Sequence, residues 1–124
     1  MTFLIIDDSY MMQEFLTGII KENRIDKHDT FINASNGEDA LDVVRTNSVD
    51  IILVDWNMPG LNGLEFTETV REKNNYKKVP IIMISSEQHK DLISQALSRG
   101  ATDYITKPVN ALHLWEKIKK YLDE

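Results

Sequence analysis

An α/β fold is predicted, a single doubly wound (βα)5 domain with a five-stranded parallel sheet. Three observations predict it. Short runs rich in β-branched and aromatic residues recur along the chain, beginning with Phe3-Leu4-Ile5-Ile6. Segments with apolar residues at helical spacing separate them, in strict alternation. The third run, Ile51-Ile52-Leu53-Val54, contains no polar residue, the pattern of a strand buried on both faces, as in a parallel sheet. Alternating β and α with short links places helices on both faces of such a sheet.

The elements follow in order. The first strand, residues 3–6, is closed by Asp7-Asp8. Met12, Phe15, Leu16, Ile19 and Ile20 then give a first helix from about Ser9 to about Asn23. Gly18 lies inside it at a cost of roughly 1 kcal/mol against Ala, which close packing on a neighbour would explain. Thr30-Phe31-Ile32-Asn33-Ala34 is the second strand, and Ser35-Asn36-Gly37-Glu38 has capping-box spacing ahead of a helix carrying Ala40, Leu41 and Val44. After the third strand, Asn62-Gly63-Leu64-Glu65 repeats the cap logic and opens a helix to about Lys73. Asn74-Asn75-Tyr76-Lys77-Lys78 is a polar connector. Val79 to Ile84 is the fourth strand, with Pro80 at its start, where no ladder bond is lost. Leu92, Ile93, Ala96 and Leu97 mark the fourth helix, and Gly100 stands at its expected stop. Asp103-Tyr104-Ile105-Thr106 is a short fifth strand ending at Lys107-Pro108. Asn110 caps the fifth helix, whose inner stripe reads Leu112, Trp115, Ile118 and Leu122.

The 124 residues make one domain, 1–124, long enough for a sizeable core, without repeats or linkers. A hydrophobic fraction of 42% and a charged fraction of 27% are ordinary for a soluble globular protein. No apolar run approaches the roughly 18 residues of a membrane span. The start lacks the basic region and cleavage site of a signal peptide. With no cysteine there is neither a disulfide framework nor a thiolate metal site, and a cytoplasmic location is expected. The net charge of −6 argues against a nucleic-acid surface and suits a cation or a basic partner.

Strand ends carry the chemistry. Asp7 and Asp8 follow the first strand, Asp55 the third, Ser85 the fourth and Lys107 the fifth. A parallel sheet puts these ends on one edge, where open α/β sheets bind their ligands. Three converging carboxylates repel one another, and a hard divalent cation relieves that; oxygen-only ligands suit Mg²⁺. Lys107 adds a fixed positive charge. A cation, an ammonium and a hydroxyl around a carboxylate describe a phosphoryl-transfer site with Asp55 as nucleophile. Taken singly, each residue has a plainer role: Asp8 as a helix N-cap, Lys107 as a solvated loop charge, Ser85 as a turn residue. Their coincidence on one edge favours the chemical reading.

Asp7-Asp8, Asp55-Trp56-Asn57-Met58-Pro59, Ser85 and Lys107-Pro108 together resemble the receiver domain of bacterial two-component response regulators, over the whole chain and in order. The stretch Asp55-Trp56-Asn57-Met58-Pro59 is particularly similar to the stand-alone chemotaxis regulators of the CheY type. The resemblance implies a flavodoxin-like fold with strand order 2-1-3-4-5, for which that family is itself the standard illustration. It implies that Asp55 accepts a phosphoryl group from a phosphohistidine on a sensor kinase of the CheA kind. Asp8 and Asp55 would hold Mg²⁺ through their side chains, Asn57 through its backbone carbonyl and Asp7 mostly through water. Ser85 and Lys107 would contact phosphoryl oxygens, and Lys107-Pro108 would be cis, which X-Pro permits at low cost. Tyr104 matches the family's aromatic switch. Asn57 and Glu87 match two positions that tune dephosphorylation, and their types imply a short-lived phosphoryl state.

The implied output surface is the fourth helix, fifth strand and fifth helix, with the flagellar motor switch as partner, a phosphatase as a further one, and a monomeric state. A phosphorelay intermediate, or a receiver from a larger regulator, is the alternative within the class. An aspartyl-nucleophile phosphatase of the haloacid dehalogenase type is the rival from another class. It needs an acid two residues after the nucleophile, where this chain has Asn57. A flavodoxin-like electron carrier would need a hydroxyl-rich phosphate loop where Asp7-Asp8 stand. The chain departs from the family pattern at Ser85, where Thr is common, at Val109, where Phe is common, and at Tyr10 on the rim of the site; these bear on partner fit more than on chemistry.

His28, His89 and His113 show no metal spacing and read as surface residues. Met11, Met12 and Met58 read as core and rim, Trp56 as standing beside the site and Trp115 as core. Lys117, Lys119 and Lys120 are either a solvated face or a contact for an acidic partner.

Overall fold

The parallel five-stranded sheet has order β2-β1-β3-β4-β5 in the computed structural model, which describes residues 1–24 and 26–122. In chain order the elements are β1 Thr2–Ile6, α1 Tyr10–Asn23, β2 Thr30–Ala34, α2 Gly37–Thr46, β3 Ile51–Asp55, α3 Gly63–Arg71, a 3₁₀ turn Asn74–Tyr76, β4 Ile81–Ser85, α4 Lys90–Ser98, β5 Asp103–Thr106 and α5 Ala111–Lys119. Side chains alternate across the sheet, so its two faces feed two separate cores. Leu4, Ile6, Ile52, Val54, Ile81 and Met83 pack with α2, α3 and α4 through Ala40, Val44, Leu64, Phe66, Val70 and Ala96. Phe3, Ile5, Ile51, Leu53, Ile82 and Ile84 pack with α1 and α5 through Leu16, Ile19, Ile20, Leu114 and Ile118. β3 is buried along its whole length, as its unbroken apolar run requires.

At the carboxyl edge the ladder ends in three backbone bonds. Asp7 N–H donates to Ala34 O at 3.1 Å, Trp56 N–H to Ile84 O at 3.1 Å and Lys107 N–H to Ser85 O at 2.8 Å. These last rungs hold the starts of the site loops at one level.

Several expectations are corrected. The cap of α2 is Asn36, one residue later than the Ser35 spacing suggested, and its side chain accepts from Asp39 N–H at 2.8 Å. Glu38 is thereby freed to accept from Leu61 N–H at 3.2 Å, tying α2 to the loop after β3. Pro80 precedes β4 rather than opening it, and α3 ends at Arg71. The connector is not wholly polar. Tyr76 is fully buried; its hydroxyl donates to Asn47 O at 2.7 Å and accepts from Val49 N–H at 3.2 Å. On α5 the inner line is Leu114 and Ile118, while Leu112 is 67% exposed; Trp115 and Leu122 are half-buried against the core. At 100° per residue, Leu112 lies too far round the helix from Leu114 to share its face. On α1, Phe15 is exposed and Met11 is 81% exposed, so Met11 belongs neither to the core nor to its rim. On α4, Leu97 is exposed as well.

Gly18 has no close neighbour, for a Cβ built there meets nothing within 4 Å. Gly18→Ala is therefore expected to raise the unfolding free energy by about 0.5–1 kcal/mol through helix propensity alone, read as a higher urea midpoint with unchanged slope.

α5 is moored to β5 by one carboxylate. Asp103 Oδ1 accepts from Lys117 Nζ at 2.7 Å and from Tyr104 N–H at 2.8 Å, and Oδ2 accepts from the Tyr121 hydroxyl at 2.8 Å. Lys117 is thus engaged within the chain, whereas Lys119 and Lys120 stay exposed. Burial alone would raise the Asp103 pKa; the Lys117, Tyr104 and Tyr121 hydrogen bonds outweigh it and hold it below the ordinary carboxylate value. Burial and the adjacent carboxylate push the Tyr121 phenol up to about 12. A carboxyl with a lowered folded pKa contributes stability above its unfolded pKa, about pH 4, and loses it as pH falls through the folded value. Asp103→Asn is expected to cost about 1–3 kcal/mol at pH 7 and little at pH 2, checked by urea unfolding at both.

Candidate functional site

Asp7 closes β1 and is 2% exposed; Asp55 closes β3 and is 4% exposed. Asp8 is exposed beside them, and one carboxylate oxygen from each of the three aspartates lies within 4.8 Å of the others. The turn after β1 fixes Asp7, whose Oδ1 accepts from Ser9 N–H at 2.8 Å. Lys107 enters from the end of β5. Its Nζ lies 3.3 Å from Asp55 Oδ1 and 3.6 Å from Asp7 Oδ2, bridging the two buried carboxylates.

Both buried carboxyls have raised pKa values. For Asp7 the cause is burial first, opposed by Ser9 N–H and Lys107, with Asp8 adding repulsion. For Asp55 it is burial, then repulsion from Asp7, opposed by Lys107 and the Asn57 N–H. A single ammonium therefore leaves the negative charge undercompensated. A hard divalent cation with oxygen ligands is the complement this donor set fits.

Ser85 is fully buried at the end of β4, and its Oγ accepts from Glu87 N–H at 3.1 Å. Tyr104 is buried on β5, and its hydroxyl donates to Glu87 O at 2.9 Å. Burial raises the Tyr104 pKa; the Ser85 hydroxyl opposes this, and the charges of Glu87 and Asp55 add to it. Trp56 meets the Tyr104 ring edge-on at 6.3 Å between centroids. Asn57 is exposed on the loop after β3, and Glu87 is half-buried. The Lys107–Pro108 peptide is cis. The structure thus gathers Asp7, Asp8, Asp55 and Lys107 by direct contact or close approach. Ser85 and Tyr104, on adjoining strands, form a second group with Glu87 of the loop after β4.

His28, His89 and His113 are exposed, and Met58 is core. Three concavities, one of about 510 Å³ at Arg71 and Arg99, one of about 620 Å³ at Lys21 and Phe31, and one at Met1 and Pro80, line the opposite edge of the sheet, away from the aspartates.

Three contributors escape a reading of motifs. Gln13 is buried and donates to Asp7 O; its only sequence signal is an amide in line with Leu16 and Ile20 on the apolar side of α1. Glu38 holds Leu61 from α2. At Gly63, a Cβ would lie 2.4 Å from Asp55 O.

Fold and site together define a doubly wound α/β protein with a cluster of aspartates that could hold a cation at the carboxyl edge of its sheet, next to a lysine and a hydroxyl. The chain belongs to the response regulator receiver domain family of two-component signalling, whose sequence model matches residues 3–119. The chemotaxis protein CheY homolog of Campylobacter jejuni (strain 81-176) is 36% identical over 123 residues, covering 98% of this chain and 92% of its own. Among solved structures, the chemotaxis response regulator CheY4 of Vibrio cholerae has a TM-score of 0.88 at 27% identity, covering 98% of each chain. The receiver domain of the Francisella response regulator 1452 has a TM-score of 0.85 at 27% identity, covering 97% of this chain and 94% of its own. Among the described residues, no helix is long and apolar enough to cross a membrane.

Proposed function

We propose that residues 1–124 form a receiver domain that works as a phosphorylation-driven switch, with Asp55 accepting a phosphoryl group from the phosphohistidine of a sensor kinase. The observation that carries this is the convergence of three aspartate carboxylates within 4.8 Å, with Lys107 Nζ 3.3 Å from Asp55 Oδ1. In the transfer an Asp55 carboxylate oxygen attacks phosphorus. A P–O bond forms, the P–N bond breaks, and its electron pair leaves on the imidazole nitrogen.

Asp8 and Asp55 would hold Mg²⁺ through their carboxylates, Asn57 through its backbone carbonyl and Asp7 mostly through water. When bound, Mg²⁺ neutralises the aspartates and the charge on the transferring oxygens. Lys107, already between Asp7 and Asp55, pairs with a phosphoryl oxygen. The Ser85 hydroxyl turns from Glu87 N–H toward another. Tyr104 is bonded to the carbonyl of that same Glu87, so the two hydroxyls share one loop, and moving Ser85 changes what holds Tyr104. The inactive–active equilibrium then shifts on the face of α4, β5 and α5. Asn57 and Glu87 flank Asp55 and tune return of the phosphoryl group to water. Asn57, where an aspartyl phosphatase needs an acid, supports a switch over a turnover enzyme.

The relatives are named as chemotaxis proteins, which favours a kinase of the CheA kind and the flagellar motor switch as output partner; a phosphatase as a further partner, a monomeric state and a cytoplasmic location belong to the same proposal. The test is intact-mass spectrometry after incubation with acetyl phosphate or phosphoramidate. One phosphoryl adduct that requires Mg²⁺ and Asp55 supports the reading. A folded wild type that takes up no phosphoryl group with Mg²⁺ present overturns it.

A further inference from the structure

We infer that Gln13 is a positioning residue, the buried amide that fixes the geometry of Asp7 and Asp8 and so sets how tightly the acidic cluster holds its cation. The inference rests on the Mg²⁺-dependent reading above.

Gln13 is 5% exposed on α1, in line with Leu16 and Ile20. Its Nε2 donates to Asp7 O at 2.7 Å and also reaches Ala34 O at 3.3 Å and Ser35 Oγ at 3.4 Å. Two N–H groups thus serve three acceptors, and the shortest bond goes to Asp7. That carbonyl belongs to the peptide joining Asp7 to Asp8, two of the three aspartates whose oxygens converge. Asp7 N–H is spent on the last rung to Ala34, and Asp7 Oδ1 is spent on Ser9 N–H. The Asp7 carbonyl is past the end of the β1 ladder, and Gln13 is the side chain that takes it up. Without the amide, the Asp7–Asp8 peptide plane is free to tilt, and tilting it swings one carboxylate relative to the other. Mg²⁺ demands near-ideal octahedral geometry, so a small swing is felt as lost affinity.

The experiment is calorimetric titration of Mg²⁺ into the full chain as wild type, Gln13→Met and Ile118→Val. Gln13→Met keeps the volume and removes both donors. Its Kd for Mg²⁺ is expected to rise on the order of tenfold, while phosphorylation by acetyl phosphate at saturating Mg²⁺ stays within about threefold of wild type. Ile118→Val loosens the other end of the same core and is expected to leave Kd unchanged. Should Gln13→Met not fold, Gln13→Asn keeps the amide but shortens its reach, with an expected rise of about threefold.

An unchanged Kd in Gln13→Met, or in Gln13→Asn where that variant is used, overturns the inference alone. An equal loss in Ile118→Val also overturns it, since the effect would then be general loosening. A folded wild type that binds no Mg²⁺ overturns the inference and the proposed function together.

Discussion

Asp55→Asn is expected to take up no phosphoryl group at all and, in the absence of Mg²⁺, to be more stable than wild type by about 0.5–2 kcal/mol. Both effects come from one arrangement. Asp55 is 4% exposed and close to Asp7, and burial followed by that repulsion raises its pKa despite Lys107. A carboxyl with a raised folded pKa binds its proton more tightly in the folded state. Stability therefore rises as pH falls through that folded value, and at pH 7 the ionised carboxylate is a cost. Asparagine keeps the shape and removes the charge and the nucleophile together. Wild type is stabilised by Mg²⁺ in proportion to how far the free ion exceeds its Kd, and the variant loses most of that gain. Thermal unfolding with and without Mg²⁺, beside intact mass, reads both. A variant less stable than wild type without Mg²⁺ would mean that Lys107 balances the site fully.

Gly63→Ala is expected to cost about 2–3 kcal/mol and to slow phosphorylation about a hundredfold. A Cβ at residue 63 would lie 2.4 Å from Asp55 O and 2.9 Å from Trp56 Cα. Both are backbone atoms, which cannot step aside as a flexible side chain would. α3 starts directly over the peptide of Asp55, the proposed phosphoacceptor, and Gly63 N–H closes the loop on Trp56 O at 2.9 Å. The Asn62–Glu65 capping box fixes where that helix begins, so the strain falls on Asp55 and Trp56. Urea unfolding and the rate of acetyl phosphate labelling check the two parts. Wild-type behaviour in both would show that the loop yields without moving Asp55. The contrast with Gly18→Ala, the same substitution in open space, isolates the close approach as the cause.

Elements and strand ends were legible because each rests on a local pattern. An apolar run that stops at Asp7 or Asp55 announces both the strand and the edge where it ends. Helix faces were less legible. Leu112 and Leu114 are both apolar, and spacing alone could not say which of them α5 turns inward. Tyr76 reads as part of a polar connector because the partners of its hydroxyl, Asn47 and Val49, are far away in sequence. Gln13 was invisible for a related reason, since what it holds are backbone carbonyls, and carbonyls leave no mark on residue identity. Gly18 and Gly63 look alike as letters; what separates them is whether Asp55 lies against the absent side chain.

The final rungs of the ladder bear on how a signal can leave the site. Trp56, Lys107 and Asp7 are each pinned by their own N–H to the neighbouring strand at the point where the loops begin. The sheet therefore acts as a bench, with the main chain beneath the aspartates held by these hydrogen bonds. On the proposed reading, news of an added phosphate would travel by side chains turning over that bench, through the Ser85 and Tyr104 hydroxyls that both meet Glu87. Such a relay is short and made of two hydroxyls. It leaves the helices free to diverge for new listeners while the bench stays the same.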